Sequence, residues 1–436
     1  MILLMQLKAS RQAPTEQKKG RLTRILILSN HYPPHYKGGY GLRCQSVTEE
    51  LARRGYEVQV LTSDWHTGAR PTRRVETSGG VLTHRLLHIR QPISPHPLRR
   101  RGQHLRWAVA ARRDYRTAYN LMRSLAPDLV YVWSMSHLAL SPLAAAQDLN
   151  LPLVFDLGDY WLLQRYQELQ AEPDARRRRY RLWIHGLSSF DLSCFPHILV
   201  NSRTLKHQYT QAGFPAAQLT VIPRGLPAAW IRETPPPLPP RPHLQLLYVG
   251  RLTEAKGAHL AIEAVALLNG ERAADLGRPA HLDLVGTGEA DYQERLRRQV
   301  ADRGLARVVR FLGRLPQQDL MARYGGYDAL LLPSVWVEPF GGAALEAMAQ
   351  GTCVIASDRG GPAELIRHGQ TGLLVPPEDP AALAQAVLSL AHDPARRDRI
   401  RRAAIAAVRA AYTLEQVGDR VEAYLQSAWS AKREPA

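Results

Sequence analysis

Short aliphatic and β-branched runs recur along the chain, each followed by a glycine- or proline-bearing loop and then by a polar or alanine-rich stretch of helical length. The first unit shows the pattern. Residues 25–29 (Ile-Leu-Ile-Leu-Ser) read as a buried strand, 32–41 as a Pro/Gly-rich loop, 44–54 as a helix and 57–61 (Glu-Val-Gln-Val-Leu) as a second strand. Strand, glycine-rich turn, helix, strand is a βαβ unit and implies a parallel sheet. Further strands fit at 129–133, 153–156, 197–200 and 219–222, so residues 23–230 are expected to form one open α/β domain. Residues 234–240 (Thr-Pro-Pro-Pro-Leu-Pro-Pro) cannot continue a helix or a central strand, which marks 231–243 as a linker. The alternation resumes with strands at 244–249, 281–285, 308–312, 329–332 and 353–356, giving a second domain over 244–410. Residues 411–436 hold a helix, expected over 414–429, that crosses back to the first domain. The fold class is α/β, two doubly wound Rossmann-like domains facing a central cleft, with the C-terminal strand edges of both sheets on one ligand.

Composition narrows the setting. The 436 residues are 45% hydrophobic and 22% charged, as in a globular protein, and no apolar run approaches the roughly 20 residues that span a bilayer. Residues 1–22 read as a flexible tail, because the apolar start is too short for a signal-peptide core and leads into polar sequence. Cys44, Cys194 and Cys353 have no metal-ligand spacing, which points to a reducing, cytoplasmic location. The net charge of +18 is lopsided: residues 1–230 hold 32 Lys+Arg against 15 Asp+Glu, and residues 231–436 hold 25 against 24. Arginine clusters at 99–101 and 176–181, with Trp107 and Trp183 nearby, fit either solvated helix faces or contact with an anionic membrane surface or acidic polymer. No nucleic-acid reading module accompanies them, and nucleic acid is not an expected partner.

Candidate chemistry concentrates in the second domain. Glu338 and Glu346 lie eight residues apart around a glycine-bracketed helix start, with residues 340–342 expected to form the turn between a strand and a helix. Glycine lets the backbone approach a ligand, and the N–H groups of Phe340, Gly341 and Gly342 can bind phosphate oxygens at the helix N-terminus. Glu346 is placed roughly two turns down that helix, about 12 Å of rise from Glu338 if the interval were all helical. The spacing suits a ligand with two hydroxyl-bearing ends and a phosphate between them, although alone it also fits a surface helix carboxylate and one favoured by the macrodipole. Arg251 and Lys256, bracketed by Gly250 and Gly257, sit at another strand end where a pyrophosphate would lie. Gly286 and Gly288 repeat the pattern after the next strand, and Gly360 and Gly361 repeat it after a fourth.

These motifs, in order over residues 24–430, resemble a retaining GT-B glycosyltransferase of family 4. The most specific stretch, 338–375, holds an E-x7-E signature, the Gly-x-x-Val-Ile-Ala-Ser strand from Gly351 to Ser357 and a Gly-Gly-x-x-Glu loop ending at Glu364. The resemblance implies Glu338 on the donor hexose, Glu346 on the ribose hydroxyls, and Arg251 and Lys256 neutralising the leaving diphosphate. It also implies a donor site lined by Gly286 and by Gly38 and Gly39, which match the loop that closes over the donor. The sequence departs from the family at Gly158, where a histidine is common, at Arg224, where asparagine is usual, and at Cys353, where proline is common. Asp159 remains beside the first departure and is assigned either to an acceptor or hexose hydroxyl or to a helix N-cap. The resemblance implies a nucleotide-diphosphate sugar as donor, a glycan, lipid-linked or small-molecule acceptor, no cofactor and no metal. Absence of any Asp-x-Asp sequence agrees with two cations serving the diphosphate. Three other readings use the same scaffold: a sugar-nucleotide epimerase, a phosphorylase, for which no supported pyridoxal-phosphate lysine is seen, and a sugar-nucleotide-binding protein without turnover.

Overall fold

A computed structural model describes residues 21–36, 38–66, 74–91, 96–170, 172–187 and 195–432. Residues 1–20 of the expected tail and Cys194 lie outside the described residues. Leu22, assigned to that tail from sequence, is instead buried in the first core at 1% exposure, and Asp128 accepts hydrogen bonds from the Thr23 and Arg24 amides beside it.

The first domain is an eight-stranded sheet of β1 (Arg24–Leu28), β2 (Glu57–Ser63), β3 (Val75–Ser78), β4 (Val81–Leu87), β5 (Leu129–Val132), β6 (Leu153–Leu157), β7 (His197–Val200) and β8 (Leu219–Val221). The order is β3-β4-β2-β1-β5-β6-β7-β8, parallel except for the β3–β4 hairpin. Side chains alternate between its two faces. Ile25 and Ile27 join a cluster with the helices Gly38–Arg53 and Leu414–Ala431, whereas Leu26 and Leu28 join one with the helices Pro97–Leu125, Ser141–Asp148 and Trp161–Gln170. Both faces are covered, which explains why the strands read as continuous apolar runs.

The second domain is a fully parallel six-stranded sheet of β9 (Leu244–Val249), β10 (Ala280–Val285), β11 (Val309–Gly313), β12 (Ala329–Leu332), β13 (Cys353–Ser357) and β14 (Leu373–Val375), ordered β11-β10-β9-β12-β13-β14. Strand order reverses beside β1 in one sheet and beside β9 in the other, the switch points where α/β sheets open a crevice.

Three of the described strands escaped the sequence reading. β3 and β4 are joined by Gly79 and Gly80, both with positive φ (58° and 78°), the two-residue turn that matches the twist of a hairpin. That Gly-Gly between alternating residues was a usable signal. β14 has three residues, too few for a pattern.

The chain crosses between domains twice at one place. Leu226 donates its amide to Tyr412 (2.9 Å) and accepts from Leu414 (2.7 Å), so the outgoing and returning strands run side by side. The returning helix Leu414–Ala431 opens with a Thr413/Gln416 capping box and lays Val417, Val421, Leu425 and Trp429 into the first domain's core. Burying each such side chain contributes about 1.5–3 kcal/mol. Arg54 clasps the helix through Asp419 (2.7 Å) and Glu422 (2.8 Å).

Candidate active site

Four loops leave the C-terminal strand ends of the second sheet. After β9, the carbonyls of Arg251 and Lys256 both lie within hydrogen-bond reach of the buried Tyr248 hydroxyl (3.1 and 3.3 Å), so one side chain shapes the loop that presents both cations. Gly286, after β10, has φ 145°, and a Cβ there would stand 1.8 Å from the Gly250 carbonyl oxygen. Its role in the structure is to let two loops run in contact, with Leu252 bridging to Gly288.

The loop after β12 carries Glu338. Lys256 Nζ is 2.9 Å from Glu338 Oε1, which also accepts a hydrogen bond from the Ser334 hydroxyl. Lys256 also stands over the Trp336 ring at 5.0 Å. The Val335 amide bonds the Ala255 carbonyl (2.9 Å), and the Glu338 carbonyl accepts from the Gly361 amide (2.7 Å) in the loop after β13. Three loops are thereby tied around one ion pair.

The helix Gly342–Ala349 begins after Gly341, which adopts the left-handed conformation (φ 93°). Glu346 is therefore one turn into the helix and not two, because the residues between it and Glu338 are loop down to Gly341. Its carboxylate accepts from Tyr324 (3.1 Å) and Gln317 (3.3 Å). Burial pushes its pKa up, opposed first by the Arg224 charge and then by those two hydrogen bonds. Phe340, expected to face the ligand through its turn, puts its ring into the core (5% exposed), which leaves only its backbone for an anion.

The first domain supplies the facing wall. The Tyr160 hydroxyl donates to the Val337 carbonyl (3.0 Å), and its ring meets Trp336 edge-on at 5.8 Å between centroids. Asp159 accepts from the Trp161 amide (3.1 Å) at the start of the helix Trp161–Gln170. Burial raises its pKa to about 6, and the charge of Arg251 from the other domain pulls in the opposite direction. The carboxylate thus serves the helix start while feeling the Arg251 charge. Gly38 and Gly39 were expected in a loop, but they form the first turn of the helix Gly38–Arg53. The Gly39 carbonyl accepts from Arg224 (3.3 Å). Arg224 also lies against Gly342, and burial lowers its pKa to about 10. Glu364 accepts from the amides of Arg203 (2.9 Å) and Thr204 (2.5 Å), so a second-domain carboxylate caps the first-domain helix Arg203–Gln211.

Gly158 has a steric cause. A Cβ there would fall 2.3 Å from Tyr40 Cε2, because the Tyr40 ring occupies the space a side chain at 158 would need. The Tyr40 hydroxyl donates to the Asp156 carbonyl and accepts from the Gly158 amide (3.3 Å). Beneath it Arg43 and Asp156 form a fully buried pair at 2.6 Å, with Tyr131 donating to the same carboxylate (2.6 Å) and Trp133 facing the guanidinium at 5.1 Å.

The structure thus gathers Arg251, Lys256, Glu338, Gly341, Gly342, Glu346 and Asp159 around one cleft, with Gly39 reached through Arg224. Tyr40, Tyr160 and Tyr248 were missed, since a lone tyrosine has no spacing to reveal it. Among the described residues no group of three or more His, Cys, Asp or Glu could hold a metal ion.

Comparison with known proteins places this arrangement. Residues 37–230 match the model described as Glycosyltransferase Family 4, and residues 234–407 match Glycosyl transferases group 1. The chain is 32% identical over 396 residues to a glycogen synthase of Mycobacterium tuberculosis, covering 87% of this chain and 89% of that protein. An uncharacterized glycosyltransferase of Methanocaldococcus jannaschii is 28% identical, over 84% and 88% of the two chains. Among solved structures, sucrose-phosphate synthase from Thermosynechococcus elongatus superposes with a TM-score of 0.70 at 22% identity, covering 94% of this chain and all of that one. Anabaena Alr3699/HepE, solved with UDP-glucose, gives 0.66 at 21%, covering 93% and 99%. Both have the two-domain GT-B fold described above. With family models over both domains and relatives matched along nearly their whole length, this chain belongs to the family 4, group 1 glycosyltransferases.

Proposed function

We propose that the protein transfers a hexosyl unit from a nucleotide-diphosphate sugar to a glycan, lipid-linked or small-molecule acceptor, with retention of anomeric configuration and without a bound metal. The observation that carries this reading is the Lys256–Glu338 pair, 2.9 Å apart on neighbouring strand ends beside Arg251. In the reaction the bond from the anomeric carbon to the diphosphate oxygen breaks and a bond to the acceptor oxygen forms on the same face. The acceptor's proton passes to the departing phosphate. Arg251, Lys256 and the amides at Gly341 and Gly342 stabilise the charge that develops there, each such donor supplying on the order of 10² to 10³ in rate. Glu338 holds the hexose and Glu346 the ribose. Support for a uridine donor comes from the UDP-glucose bound by the HepE structure.

The setting proposed is cytoplasmic, with peripheral contact at a membrane face. Cys44 and Cys353 are buried free thiols, which fits a cytoplasmic enzyme. No helix among the described residues is long and apolar enough to cross a membrane. Leu105, Val109, Tyr180 and Trp183 are exposed amid the basic clusters, a combination suited to peripheral contact with an anionic membrane face. Vesicles containing anionic lipid should retain the protein at low salt, and failure to do so removes the membrane contact.

The transfer reading is tested with radiolabelled UDP- and GDP-sugars and a lipid extract as acceptor source. Glu338→Ala should abolish transfer while leaving nucleoside diphosphate binding largely intact. Activity equal to wild type in that variant would remove Glu338 from the hexose site.

A further inference from the structure

The first domain holds a cavity of about 1100 Å³ that the donor chemistry does not use. It opens at the C-terminal edge of the first sheet, where Arg90 follows β4 and Ser136 follows β5, and one wall is the helix Trp161–Gln170 that begins next to Asp159. The helices that bear the two arginine clusters form the rest. Two half-buried guanidinium groups meet here. Arg90 Nη1 lies 2.9 Å from both ring nitrogens of His185, and Arg165 Nη1 lies 3.3 Å from His185 Nε2. Burial, followed by these two positive neighbours, drives the His185 pKa well below its ordinary value, so the imidazole is neutral and offers no negative charge. Of the two acidic residues lining the cavity, Glu168 pairs with Arg165 (3.0 Å) and Glu172 with Arg181 (3.1 Å), which leaves Arg90 as the guanidinium of the two without an ion pair. Arg90 forms no ion pair among the described residues, although the Asp114 and Glu168 charges act on it from further away, and its Nε and Nη2 are buried without a hydrogen bond. Nε and Nη2 are adjacent corners of one planar fork, the geometry that grips two oxygens of a phosphate. Its guanidinium stands over the Trp107 ring at 4.2 Å, a cation–π contact that helps to hold it in place.

We propose that this cavity receives a phosphate group carried by the acceptor, gripped by Arg90 with Arg165 beside it, and that the enzyme's acceptors are therefore phosphorylated. The proposal rests on the transferase reading above and names the acceptor class for it. Leaving the half-buried Arg90 fork without acceptors is costly, and an anion of two or more oxygens removes that cost where a neutral sugar does not. The volume is that of a substrate site, larger than a lone phosphate needs, and the Trp65 and Trp107 rings offer flat walls to the organic part. Two sources share this chemistry, a soluble sugar phosphate and a membrane-borne sugar linked to a lipid phosphate.

Calorimetric titration of the full chain with inorganic pyrophosphate tests the binding, using Lys256→Ala to weaken the donor diphosphate site. That variant should still bind pyrophosphate, and Arg90→Gln added to it should weaken the binding at least tenfold. No binding in Lys256→Ala, or equal binding with and without Arg90→Gln, overturns the proposal. Should Arg90→Gln not fold, Arg165→Gln is read in the same way. Transfer is then compared between glucose 6-phosphate and glucose, and between polyprenyl diphosphate-linked and unlinked sugar in vesicles. Preference for the phosphorylated member of either pair, with its KM raised at least tenfold by Arg90→Gln, supports the proposal and tells which source serves; equal use of both members of both pairs overturns it. Absence of nucleotide release with every acceptor would sink the transferase reading instead, a result separate from pyrophosphate binding.

Discussion

Two ion pairs face the cleft from opposite domains, and they are built for opposite ends. Arg43 and Asp156 are sealed, with side chains 4% and 0% exposed, and Tyr131, Tyr40 and Trp133 close every side. Lys256 and Glu338 are reachable, at 17% and 13%, and hang on loops whose backbones are tied to one another. A sealed pair cannot exchange its partner, so it fixes where the Asp159 loop leaves β6. An accessible pair can, and in the proposed transfer Lys256 would turn from one oxygen anion to another when a diphosphate arrives.

The sharpest way to break this contrast is Asp156→Asn. It strands the Arg43 guanidinium in the core without its counter-charge, and breaking a buried pair from one side costs about 3–5 kcal/mol. Chemical denaturation should show a loss of that size. A loss below about 1 kcal/mol, the range of exposed pairs, would mean that Arg43 finds water and the pair is not sealed.

Lys256→Ala is the mirror experiment. Stability should change little, because the pair is partly exposed and Glu338 keeps its bond from Ser334. Turnover should fall by roughly 10² to 10³ as the leaving diphosphate loses a preorganised cation. Steady-state kinetics beside a melting curve separates the two effects, and a variant that loses stability while keeping kcat would reverse the assignment of the pairs.

The same contrast explains what could be read from the sequence. In the second domain, strand, glycine turn, cation or carboxylate and helix start follow one another within about ten residues, so Arg251, Lys256 and Glu338 were legible from local order. In the first domain the wall is assembled from Tyr40, Arg43, Asp156, Gly158 and Arg224, residues brought together only by the sheet. Gly158 could be seen as a departure from the family, but not that Tyr40 fills the space. The Glu346 depth was misjudged for a related reason: spacing counts residues, and only a positive φ at Gly341 says where the helix begins.

Gly158→His puts that explanation to the test. Introducing the family's residue forces its Cβ onto the Tyr40 ring, and overpacking of this kind costs about 1–3 kcal/mol. The double change Gly158→His with Tyr40→Ala should recover most of the loss in a thermal melt. If the single substitution is tolerated at wild-type stability, Tyr40 is free to move and does not occupy the histidine's place.

The smallest effect concerns the clasp that returns the chain to the first domain. Glu422 accepts from Arg54 and Tyr56 (2.8 Å each). Burial alone would raise its pKa, but these hydrogen bonds and the Arg54 charge outweigh it and hold the carboxyl below its usual value. A carboxyl depressed in the folded state binds its proton less readily there than in the unfolded chain. Its contribution is therefore complete above the unfolded value, near 4.5, and is lost as pH falls through the lower folded value. Glu422→Gln should cost about 0.2–1 kcal/mol at pH 7, as partly exposed pairs do, and progressively less as the medium is acidified below the unfolded value. Melting curves of both proteins between neutral pH and pH 3 should converge at the acid end. A gap that stays constant over that range would mean that the Glu422 charge takes no part in the helix's hold, leaving it to the apolar burial of Val417, Val421, Leu425 and Trp429 and to the Arg54–Asp419 pair.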